Sequence, residues 1–81
     1  MGMEFPLSRL EPGESAVVSR VETGGAMGRR LRDLGLIAGT AVTCLGRSPW
    51  GDPSAYGFRG AVIALRARDC AGVRCTRGAQ P

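Results

Sequence analysis

Residues 27–42 read MGRRLRDLGLIAGTAV, and the way this stretch folds decides the rest of the chain. Met27, Leu31 and Leu34 recur at i, i+4 and i+7. At about 100° per residue that spacing gathers them within about 60° on one side of a helix. Arg29, Arg32 and Asp33 fall on the other side, and Arg30 flanks the apolar stripe. The spacing predicts a helix of two to three turns. Gly35 stands where a left-handed cap residue belongs. With Leu34 as the cap, Leu36 is the second residue beyond the helix and Leu31 is its expected apolar partner. Ala38-Gly39 predicts a further turn, with Gly39 supplying the positive φ of type II. Leu31, Leu34, Gly35, Leu36 and Gly39 are therefore structural residues on this reading. The arginines occupy the middle and last turns, where positive charge agrees with the helix dipole. An anion cradle needs amides and glycines at the N-terminal end. Thr23-Gly24-Gly25-Ala26 offers a weak one without the Lys-Ser/Thr of a phosphate loop.

Outward from the helix, the chain reads as short strands. SAVVSRVE (15–22) precedes it and TAVTCLGR (40–47) follows. Both are rich in β-branched residues and free of breakers. SPWGDPSAYGFRG (48–60) is a turn-rich connection with a short strand at 55–59. AVIALR (61–66), the most apolar segment, is expected at the centre of the sheet, and VRCT (73–76) closes the domain. Leu7 and Leu10 mark one helical turn near the start, and ARDCAG makes another before the last strand. Five short strands with one helix after the first predict a mainly β fold, a small bent barrel whose closure hides its edges.

Eighty-one residues allow one small core. The chain carries a net charge of +4, yet all eleven basic residues are Arg and they are scattered, which reads as a solvated surface more than a dedicated patch. There is no His, so the usual neutral-pH acid/base group and commonest metal ligand are missing. Cys44, Cys70 and Cys75 lack the count and spacing of a disulfide framework or zinc site and read as small buried hydrophobes. No apolar run reaches the roughly 18 residues of a membrane span, and the N-terminus lacks the pattern of a secretion signal. A cytoplasmic protein is expected.

In order, PLSRLEPGE, RLRDLGLIAGTAV, SPWGDPSAYGFRG and AVIALRARDCAGVRC resemble the FeoA family of small ferrous iron transport accessory proteins. The resemblance implies an SH3-like β-barrel with the helix inserted after the first strand. It places an N-terminal extension at 1–5, the domain at 6–76 and a flexible tail at 77–81. It also implies a partner, the FeoB membrane transporter with its cytoplasmic GTPase domain. The chain departs from the family at Ala38, where Pro is common, at Cys70, where Ala is usual, and at Cys75, where an aliphatic residue is usual. Both thiols thus fall on apolar family positions.

Several sharper readings remain open. Trp50 is either an exposed docking anchor or a lid over one end of the barrel. Asp52, before Pro53, reads as a turn former ahead of a ligand. Arg29, Arg30 and Arg32 form a candidate partner-binding face with Trp50, Asp52 and Pro53, and Arg29 or Arg32 has the exposure an arginine finger needs. Four aromatics give few stacking platforms, so nucleic acid is not an expected partner. Nothing pairs a nucleophile with a base, and no enzyme activity or cofactor is expected. Glu22, Asp52 and Cys75 can be assembled into an iron site only on paper. The expected function is that of an accessory protein acting on FeoB by protein contact. The alternative is a general SH3-like module for peptides, or a weak one for nucleic acid.

Overall fold

Alternation of buried and exposed residues along each strand sets the architecture. The computed structural model describes residues 3–77. Its elements are β1 (Phe5–Pro6), a 3-10 turn (Leu7–Arg9), β2 (Ser15–Val21), α1 (Gly25–Leu34) and β3 (Ala41–Arg47). They continue with β4 (Ser54–Phe58), β5 (Ala61–Leu65), α2 (Ala67–Cys70) and β6 (Val73–Thr76). The strands form one antiparallel sheet in the order β1-β6-β2-β3-β4-β5. Ala16 and Val18, Val42 and Cys44, Tyr56 and Phe58 all point to the same buried side. Ile63 and Leu65, then Val73 and Cys75, complete that face. This is the period-two pattern of a sheet with one wet side.

Two irregularities bend the sheet. The register slips between Val18 and Arg20 where β2 meets β6, and between Cys44 and Gly46 where β3 meets β4. An extra residue on one strand sharpens the local twist. Leu45, the extra residue of the second slip, is turned outward and half exposed.

The chain reversal after α1 follows the sequence reading closely. Leu36 N–H donates to Leu31 C=O at 2.9 Å and Gly35 N–H to Arg32 C=O at 3.0 Å, with Gly35 at φ 103°. These two bonds and the left-handed glycine are a Schellman cap. Leu31 and Leu36 are both fully buried. Thr40 N–H then donates to Ile37 C=O at 3.0 Å across a turn with Gly39 at φ 92°. Val18 N–H donates to Thr40 C=O and Gly39 N–H to Val18 C=O, stitching the reversal onto β2.

Four expectations need correction. Leu34 is 42% exposed and does not join the core. The buried line of α1 runs instead through Gly28 and Leu31, because Gly28 lies hard against the Thr23 backbone carbonyl and has no side chain to hold the helix off. Leu34 sits about 60° from Leu31 on the opposite flank. Second, AVIAL lies at the edge of the sheet, not its centre. Its apolar character comes from both faces: Ile63 and Leu65 enter the core, while Val62 and Ala64 face out. Third, six strands are present, and among the described residues the sheet's end strands β1 and β5 are not paired to each other. The additional strand is β1, where Phe5 faces Cys75 and is buried, although the sequence reading placed Phe5 in an extension. Fourth, Arg77, assigned to a tail, sets its guanidinium 5.0 Å from the centre of the Phe5 ring. Residues 1–2 and 78–81 of the expected extension and tail lie outside the described residues.

Candidate docking surface

Four segments carry the exposed chemistry: the face of α1, the Trp50 loop, the β4–β5 turn and the outer face of β5. On α1, Arg29, Arg30 and Arg32 are all exposed. The ion pairs among the described residues join Arg20 to Glu4 and Glu22, Arg47 to Glu11, and Arg77 to Glu14. None uses the α1 arginines, so their charge faces solvent.

The Trp50 loop is held at its base. Ser48 N–H donates to Pro53 C=O at 3.1 Å, and Gly51 N–H to Ser48 C=O at 2.8 Å. The Asp52–Pro53 peptide is cis, and Pro53 is half-buried. Asp52 Oδ1 accepts the Ala67 N–H at 2.8 Å, so its carboxylate satisfies a free donor at the start of α2. Just before the loop, Arg47 donates to Ser54 Oγ at 3.0 Å and to Leu10 C=O at 2.6 Å. Trp50 itself is 88% exposed. It does not lid the core, which Tyr56, Phe58 and the leucines fill without it. The indole is left as a large apolar projection on an anchored base.

The β4–β5 turn was not singled out by the sequence reading. Arg59 and Gly60 have φ of 52° and 79°, and Phe58 pairs with Ala61 across them. Positive φ at both central residues is the signature of a type I′ hairpin. The signal was present as an Arg-Gly pair between two apolar runs. Arg59 runs its stem over Gly35, and a Cβ on that glycine would lie 2.8 Å from Arg59 Cδ. Arg59 thereby joins the end of α1 to the turn. Arg29, Arg30 and Arg32 lie on α1, whereas Trp50, Asp52 and Pro53 lie in the connection between β3 and β4, so the candidate residues fall on separate elements.

The interior offers little chemistry. All three cysteines are free and buried, and burial pushes the Cys70 and Cys75 thiols up to about 11. Such thiols stay protonated at neutral pH and are poor nucleophiles. Glu4, at the rim, is held below its ordinary carboxylate value by the Ser19 hydroxyl and by Arg20. Among the described residues, no group of three or more Cys, Asp or Glu is placed to hold a metal ion. No helix among them is long and apolar enough to cross a membrane.

A family model described as the FeoA domain matches residues 5–77. The chain belongs to the FeoA family. The FeoA protein from Chlorobium tepidum superposes with a TM-score of 0.86 at 33% identity, covering 93% of this chain and 71% of that one. FeoA from Stenotrophomonas maltophilia, solved with zinc, superposes with a TM-score of 0.79 at 32% identity over 88% of each chain. It is described as a prokaryotic SH3 domain protein and a candidate bacterial ferrous iron transport activating factor. A curated relative from Porphyromonas gingivalis is a fusion of Fe(2+) transport protein A with the Fe(2+) transporter FeoB. It is 34% identical over 65 residues, which are 80% of this chain and 8% of the relative's length. The mainly β, SH3-like fold expected from the FeoA resemblance is the fold observed.

Proposed function

We propose that this FeoA-family chain is a cytoplasmic accessory protein that binds an FeoB-type transporter and modulates it through protein contact. The observation that carries this reading is the relative in which the two proteins form one polypeptide. A covalent link holds two modules at a high effective concentration, reaching millimolar for short flexible linkers. Whether linked or not, the two modules act on each other through an interface. Trp50, on its anchored base with Asp52 and Pro53, supplies an apolar anchor of the type that concentrates binding energy. Arg29, Arg30 and Arg32 supply free positive charge that steers an acidic partner. The action on this reading is contact, carried by the exposed Trp50 and the exposed arginines of α1.

The test is calorimetric titration of the chain into the cytoplasmic GTPase domain of the FeoB protein from the same genome, loaded with GDP or with a non-hydrolysable GTP analogue. Saturable binding to at least one state is expected. No heat and no co-migration at about 0.1 mM, a concentration that captures weak interfaces, overturns the reading. GTP turnover measured in the same samples tests modulation by an arginine: a rate unchanged at saturation removes that role from Arg29 and Arg32.

A further inference from the structure

The two ends of the sheet are finished very differently. β1 is two residues long, contains Pro6, and its Phe5 ring is covered by the Arg77 guanidinium. Short length and proline are ordinary ways of blunting an edge. β5 has neither. It runs five residues, AVIAL, in unbroken register with β4, and carries no charge, proline or bulge.

The register identifies which backbone groups are free. Phe58 and Ala61 close a two-residue hairpin, so Ala61, Ile63 and Leu65 exchange hydrogen bonds with β4. The N–H and C=O of Val62 and Ala64 therefore point away from the sheet. No backbone hydrogen bond outside the β4 ladder involves any residue of β5 among those described. The same two residues carry the exposed side chains, with Val62 at 69%. Beside them a groove of about 470 Å³ opens over Thr43, Leu45, Gly57 and Val62. Arg59 and Arg66 bracket the strand, and neither meets a carboxylate among the described residues.

We propose that the β5 edge is an acceptor site for an extended partner segment that adds to the sheet as a further strand. The segment has alternating apolar residues over the Val62 face and acidic residues near its ends. The backbone edge supplies affinity and the groove selects the alternate side chains. The occupant is an acidic peptide segment and not a second copy, because the charges decide against self-pairing. An antiparallel pair of β5 strands centred on Ile63 brings Arg66 of one copy beside Arg59 of the other, in a protein already at +4. An acidic segment reverses the sign of both contacts. This inference deepens the reading that the domain works by protein contact, and it names a surface separate from the α1 and Trp50 residues.

The experiment is an NMR titration of isotope-labelled protein with the synthetic peptide EEVTVTVEE, followed by amide hydrogen exchange. Shifts centred on β5 and slowed exchange at Val62 and Ala64 are expected. Ala64→Pro removes an outward N–H without touching the β4 ladder and weakens binding by roughly fivefold, the value of one hydrogen bond. Ala64→Ser keeps the N–H and retains binding, and both variants are checked for unchanged melting. Arg59→Gln with Arg66→Gln weakens binding and flattens its salt dependence. Shifts that map to α1 or the Trp50 loop, or no shift at about 1 mM peptide, overturn the proposal. So does protection of Val62 and Ala64 in a peptide-free dimer. Peptide docking at β5 without binding of the FeoB domain would remove the proposed function and leave this site standing. FeoB binding that leaves the β5 amides untouched, with no peptide docking, does the reverse.

Discussion

Arg59 Cδ lies 2.8 Å from the point where a side chain on Gly35 would begin. Two demands therefore meet at Gly35, a left-handed backbone at φ 103° and a close approach by the next hairpin. Gly35→Val violates both. A β-branched residue at positive φ is a steric outlier costing of order 1–3 kcal/mol, to which displacement of the Arg59 stem is added. A fall in melting temperature of roughly 10 °C is expected by calorimetry. Gly35→Ala should cost less, and adding Arg59→Ala to it should recover part of the loss. An unshifted melting point in Gly35→Val would contradict the cap.

Gly28→Ala tests the opposite of a general rule. Alanine inside a helix ordinarily stabilises by about 1 kcal/mol over glycine. Here the added methyl meets the Thr23 carbonyl, and nothing at the end of a flexible side chain can give way. The expected outcome is a loss of about 2 kcal/mol, as for an overpacked core, read by urea denaturation. A gain in stability would show that α1 is free to move outward.

The reversal at Leu34-Gly35-Leu36 was legible because its causes are local. Glycine at the cap and leucines at fixed offsets specify the hydrogen bonds whatever else the chain does. The burial of Gly28 over Leu34 was not legible. It depends on how closely Thr23 approaches, and sequence spacing allows either flank of Leu31. The placement of AVIAL failed for a related reason. An apolar run reads alike for a strand covered on both faces and for an edge strand with an uncovered apolar face. At the docking surface, Trp50 could be recognised as a candidate from its loop. Its exposure follows only from the way Tyr56 and Phe58 fill the interior. Arg59 was missed because a non-glycine residue at positive φ has a weak signature in a single sequence.

Alkaline pH should destabilise the fold through its thiols. Burial raises Cys70 and Cys75 from 9.0 to about 11, and burial raises the Tyr56 hydroxyl in the same direction. A raised folded-state value means the unfolded chain loses its proton first. Stability from these groups is intact below about pH 9 and is lost as pH rises towards 11, by on the order of 2 kcal/mol per thiol. Urea midpoints measured at pH 7.5, 9 and 10.5 should fall only over the last interval. Cys70→Ala removes a fully buried thiol beside Tyr56, so it should cost about 1 kcal/mol at pH 7.5 and should shallow the alkaline decline. A flat profile would mean that the thiols are reached by water.

Trp50 separates folding from partner contact. At 88% exposed it has little packing to lose, so Trp50→Ala should change stability by no more than about 0.5 kcal/mol. If the loop is the anchor of the interface, the same change should weaken binding to the FeoB cytoplasmic domain by at least tenfold, about 1.4 kcal/mol. Charge-neutral replacements at Arg29, Arg30 and Arg32 should act differently. They lie at an exposed face, where charge governs encounter more than dissociation, so the association rate should fall and its salt dependence flatten while the dissociation rate changes little. Stopped-flow measurements at low and physiological salt distinguish the two effects. A Trp50→Ala protein that binds with unchanged dissociation rate would take the loop out of the interface. Insensitivity of the association rate to salt in the unsubstituted protein would do the same for the α1 arginines.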